Sequence, residues 1–196
     1  MAVPNLCLGV QGEMYLPALI LFHLLFFRRF YFINPYCYAT SEPMELEFPY
    51  WKGDGKDYWV YPECLPILAT FYPPFIISRW LGKSLNIDHA WILFQLTNVL
   101  HYLWASIGGY LLFRHLGYGE YVSFFGAITL THMAYSIKQC NSIIYTLAWA
   151  PWLLLGAVSH NFTLWLGSAS MGILGGYWPL WAYSVPLSLA VWLFSR

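Results

Sequence analysis

The chain has 196 residues, 59% of them hydrophobic, 21% aromatic and only 9% charged, with nine basic residues balancing nine acidic ones. A soluble domain carries roughly 25% charged residues to keep its surface wet, so these proportions exclude an ordinary water-soluble body. Zero net charge also removes the electrostatic case for nucleic-acid binding.

The charges are unevenly spread: Lys52–Glu63 holds five, while Ser142–Ser195 holds none. Long charge-free apolar stretches are the mark of membrane-spanning helices. In hydrocarbon every backbone polar group must be satisfied internally, and stretches that are continuously apolar rather than alternating favour helices over a barrel. The expected fold is an all-α integral membrane protein with about six transmembrane helices and one interfacial or re-entrant element.

In chain order, residues 1–13 contain no Lys or Arg and no clear cleavage site, so the first apolar helix is expected to be retained. The first span is 15–33, with Arg28 and Arg29 placed to snorkel to headgroups. A polar loop, 34–63, follows. Segment 65–81 is apolar but carries Pro73-Pro74, which remove donors and clash with the preceding turn; it is expected to lie at the interface. Further spans are expected at 89–113, 121–137, 142–158, 162–173 and 180–194, all in one membrane domain, 1–196. If 65–81 does not cross and the N-terminus is cytoplasmic, Arg28, Arg29, Lys52, Lys56, Arg79, Lys83 and Lys138 lie outside and only Arg114 and Arg196 inside. That reverses the positive-inside bias, and the sequence leaves orientation open.

The loop 34–63 holds six of the nine acids. Carboxylates beside aromatic rings suit sugar handling: Trp51 and Trp59 can stack on pyranose faces. Glu45, Glu47, Asp54 or Asp57 can take a proton from an attacking hydroxyl or hold a divalent cation. Interfacial anchoring by the same aromatics is the alternative. In span 89–113, Gln95, Asn98 and His101 recur at i, i+3 and i+6 on one face, with Thr97 four residues before His101. Such intramembrane polar groups are either functional or interhelical hydrogen bonds of about 0.6 kcal/mol each. His23, His101 and His132 are candidate axial ligands for a pigment or haem, although no paired spacing supports one. Arg79 and Lys138 are candidate contacts for a lipid phosphate. Cys7, Cys37, Cys64 and Cys140 lack metal-ligand spacing; Cys37 and Cys64 share one loop and either pair or stay free. Asn161-Phe162-Thr163 matches a glycosylation sequon but abuts a span.

Phe48-Pro49-Tyr50-Trp51, Pro62-Glu63 and Phe71-Tyr72-Pro73-Pro74 resemble the first-loop pattern of bacterial YfhO-type membrane proteins of the GT-C glycosyltransferase superfamily. The likeness continues through His101, Gly108–Gly117, Ala148-Trp149-Ala150-Pro151-Trp152 and Gly175-Gly176, covering about residues 45–180. The resemblance implies a GT-C-like fold in a bacterial inner membrane, an extracytoplasmic first loop carrying a catalytic acid, and a polyprenyl-phosphate sugar as donor. That family tends to place its key Asp upstream of the Phe-Pro-x-Trp motif, where this chain offers only Glu42, Glu45 and Glu47. It is also longer, so a shortened and inactive relative is a second expectation: an accessory subunit of a larger membrane complex, energy-transducing or pigment-binding. A transporter is a third reading, with only Pro151 and Pro186 as candidate helix breaks.

Overall fold

The computed structural model describes residues 15–33, 71–83, 85, 87–133, 141–176 and 178–195. All regular structure among them is helical. Helix α1 (Tyr15–Phe26) runs on through Phe27 and Arg28 into a π-helical turn, Arg29–Ile33. Helix α2 (Pro73–Gly82) is ten residues long and opens on the Pro-Pro pair. Proline belongs there, since its missing donor falls among the groups that a first turn leaves unpaired. Helix α3 (Ile87–His115) is the longest, at 29 residues. A turn at Gly117, whose φ of 87° only glycine adopts freely, leads to α4 (Glu120–Ile128), which passes directly into a second π-helical turn, Thr129–Met133.

The stretch 142–158, expected as one span, is two helices, α5 (Asn141–Leu147) and α6 (Ala150–Val158). Pro151 is the cause: it lacks an N–H and sits in the first turn of α6, so the chain bends at Ala148–Trp149. Helix α7 (Phe162–Leu174) is capped by Asn161, whose Oδ1 accepts from the Leu164 amide at 3.0 Å. The residue that starts the sequon is therefore the helix N-cap. Helix α8 (Trp178–Phe194) closes the described chain and carries Pro186 inside it.

Helix α3 is the hub, packing against α1, α2, α4, α5 and α6, while α6, α7 and α8 pack on one another. Three buried clusters all draw on α3: Tyr72, Phe75, Phe94 and Tyr145; Phe27, Val99, Tyr102 and Ile144; and Leu19, Tyr110 and Ala127. At the α6–α7 turn the backbones approach closely, because a Cβ on Gly156 would stand 2.6 Å from the Trp165 amide nitrogen. No helix among the described residues is long and apolar enough to cross a membrane.

The distribution of polarity is unusual. Gln95, Asn98, His101, Ser106, Thr131 and His132 are buried, while Trp80, Tyr183, Leu187 and Phe194 are 69%, 77%, 61% and 85% exposed. In water the reverse is the rule for such residue types.

Candidate functional site

Helices α2, α3 and the α5–α6 bend meet at His101. Its Nδ1 lies 2.6 Å from the Thr97 carbonyl oxygen. A carbonyl only accepts, so Nδ1 carries the proton and Nε2 is left as an acceptor. The Tyr72 hydroxyl donates to that Nε2 across 2.6 Å. The Tyr72 oxygen in turn accepts from Trp149 Nε1 at 2.8 Å. The result is a directed relay, Trp149 to Tyr72 to His101 to Thr97, with every ring nitrogen satisfied. Burial pushes the Tyr72 phenol above its ordinary value of 10.0, an effect that the Trp149 N–H partly opposes.

A second branch lies on the same face of α3. The Tyr145 hydroxyl donates to Asn98 Oδ1, and Asn98 Nδ2 reaches Gln95 Oε1 at 3.5 Å. The Tyr145 ring joins the branches, standing edge-on to His101 at 4.9 Å and 5.9 Å from Tyr72. Gln95 Nε2 is buried and, among the described residues, unpartnered.

Beside this network a cleft of about 650 Å³ opens between α2 and α3. Its walls are Pro73, Ile77 and Leu81 from α2 and Leu96, Leu100 and Ile107 from α3, with Trp104 and Met171 completing them. Its polar lining comes from Tyr72, Thr97, His101 and Trp149, with Ser78. The volume is that of a ligand pocket, roughly 300–1,000 Å³, and the plan of apolar walls with a few fixed polar groups is the usual one. As wired, the relay holds a neutral imidazole and a neutral phenol in place. It supplies no free nucleophile and no free base, so the arrangement is suited to binding and positioning.

Of the site residues expected from sequence, Gln95, Asn98 and His101 are brought together on one buried face of α3. Arg79 lies on α2, half-buried and outside the cleft lining. Glu45, Glu47, Asp54, Asp57, Trp51, Trp59 and Lys138 lie outside the described residues. Among the described residues no three His, Cys, Asp or Glu side chains cluster to hold a metal ion. Tyr72, Tyr145, Trp104 and Trp149 escaped the sequence reading as site residues. The only signal for them was that Tyr72 and Trp149 sit inside the Phe-Tyr-Pro-Pro and Ala-Trp-Ala-Pro-Trp motifs. No protein family, no curated protein and no solved structure matches this chain.

Proposed function

We propose that this chain is a helical membrane protein, GT-C-like, that holds the apolar chain of a lipid-linked sugar donor in the cleft between α2 and α3. The observation that carries the reading is the cleft itself, lined mostly by apolar side chains and carrying the Tyr72–His101–Trp149 relay in its wall. The membrane part is supported by polar residues inside and large apolar ones outside, the arrangement a lipid solvent favours. The glycosyltransferase likeness gains support because its scattered motifs meet, Tyr72 bonding both His101 and Trp149 across 29 and 77 residues of sequence. In this reading an acid among Glu45, Glu47, Asp54 and Asp57 takes the acceptor's proton, and Arg79 and Lys138 hold the lipid phosphate.

A diazirine-bearing polyprenyl phosphate tests it in proteoliposomes. Adducts should fall on α2 and α3, be competed by unlabelled polyprenyl phosphate, and vanish in Leu100→Trp, which fills the cleft. Uncompeted adducts spread over the outer face of α8 would refute the binding site. Transfer is tested separately with Glu45→Gln, Glu47→Gln, Asp54→Asn and Asp57→Asn. One of them should lose at least about a hundredfold in turnover, and four unchanged variants would leave a lipid-binding protein without transferase activity.

The accessory-subunit reading is favoured by a different observation, the exposed aromatic and apolar side chains of α8 at Tyr183, Leu187 and Phe194. Co-purification with other membrane subunits in fixed ratio would select it; a lone, active, monodisperse species would reject it.

A further inference from the structure

Away from the cleft lies a pair of buried histidines whose hydrogen bonding is incomplete. His23 of α1 is 1% exposed, and His132 of the second π-helical turn is 7% exposed. Their ring centroids stand 6.2 Å apart, with the planes at 69°. Each ring is held by one nitrogen only. His23 Nε2 meets the Tyr31 hydroxyl at 3.2 Å, and His132 Nδ1 meets Thr131 Oγ1 at 2.7 Å. Thr131 is itself fixed by donating to the Ala127 carbonyl at 2.8 Å. Among the described residues, His23 Nδ1 and His132 Nε2 are buried and have no hydrogen-bond partner.

A buried nitrogen left unpaired costs about 1–3 kcal/mol, and here two such nitrogens belong to rings whose centroids are 6.2 Å apart. Thr131 has one hydroxyl proton, with the Ala127 carbonyl at 2.8 Å and Ser106 Oγ at 2.7 Å to take it; in the tautomer in which His132 Nδ1 donates to Thr131, Nε2 is a bare lone pair. Anchoring one imidazole nitrogen so that the other presents its lone pair is how proteins prepare histidine for a metal. A second observation points the same way. Tyr31 lies in one π-helical turn and Thr131 and His132 in the other, so both π turns deliver residues to this one spot. Such turns are rare and concentrate at functional sites.

We infer that His23 and His132 form a two-coordinate site for a monovalent copper ion. Two imidazoles on opposite sides of one ion, with bonds of about 2.0 Å, place their ring centroids ~6 Å apart, as these are. Zinc wants four ligands and the hard divalent cations want several oxygens, but no third His, Cys, Asp or Glu joins the pair among the described residues. Imidazole suits copper. A single positive charge is also far cheaper to bury than a double one where no carboxylate compensates it. Phe26, Phe22, Tyr102 and Phe27 pack around the His132 ring at 4.8, 5.3, 5.9 and 6.0 Å, an apolar shell in which a single charge is the cheaper one to hold.

The test is anaerobic titration of the full chain in detergent, its four cysteines alkylated, with copper(I) against a chromophoric chelator. One ion should bind per chain, and His23→Gln or His132→Gln should each weaken it at least tenfold. X-ray absorption of the bound ion in the histidine-intact chain should report two nitrogen neighbours, a readout that stands even where a variant fails to fold. Absence of binding, binding unchanged in the double variant, or a sulfur-rich or four-coordinate spectrum would each overturn the site. The inference is independent of the lipid cleft, which shares neither histidine.

Discussion

His101 and the His23–His132 pair occupy the same kind of place, a helix interior closed to solvent, and differ in how their nitrogens are used. At His101 both nitrogens are engaged, one by the Thr97 carbonyl and one by Tyr72. At His23 and His132 one nitrogen on each ring is engaged and the other is not. A saturated buried network rigidifies what it connects, whereas an incomplete one stores a cost that a ligand can relieve. The difference assigns a latch to the first site and a receptor to the second.

Substitutions can break this comparison, and the largest effect should come from Gly175→Val. A Cβ there would stand 2.7 Å from the Thr146 amide nitrogen and 2.8 Å from the Tyr145 carbonyl carbon. The clash is with backbone of α5, next to the latch, and should cost about 3 kcal/mol, read as a lowered unfolding midpoint in detergent. Copper affinity should survive if the two sites are separate. His101→Phe should come next, at about 2 kcal/mol, because the buried Tyr72 hydroxyl loses its acceptor. His132→Leu removes the Nδ1 bond to Thr131 together with an Nε2 whose burial without a partner is a cost, so the two offset and without metal stability should change by less than about 1 kcal/mol. A loss equal to that of His101→Phe would erase the distinction. The smallest effect is at alkaline pH. Burial raises the Tyr72 phenol in the folded chain above its ordinary 10.0, so its contribution is intact below about pH 10 and declines as pH rises beyond that. Tyr72→Phe should unfold less steeply with pH in that window than the parent, followed by circular dichroism.

Sequence disclosed the helical class and one face of the site but not its wiring. Gln95, Asn98 and His101 were legible because a helix puts i, i+3 and i+6 on one side, and Thr97 because i to i+4 contact is local. Tyr72 and Trp149 were not, since their bonds close loops of 29 and 77 residues, and no local pattern encodes that pairing. Pro151 was read as a proline inside one span, whereas its missing N–H starts a new helix. Asn161 was read as a chance sequon, and its amide oxygen proves to be a helix cap. The π-helical turns had no signature in composition or periodicity, because they depend on tertiary packing. His23 and His132 were legible singly as candidate ligands, but they share no spacing that would pair them.

A π turn contains one residue more than the α turn it replaces, which makes each of these two turns a place where a single-codon deletion can be absorbed without unravelling the helix. Removing Leu130 would let an ordinary turn close, and the residues of that turn would step back by up to one helical position, about 100° and ~1.5 Å. His132 would swing out of its aromatic enclosure while the Tyr72 relay, built on other helices, kept its register. One lost amino acid could thus separate the molecule's two buried histidine centres, a route open to natural variation as readily as to the bench.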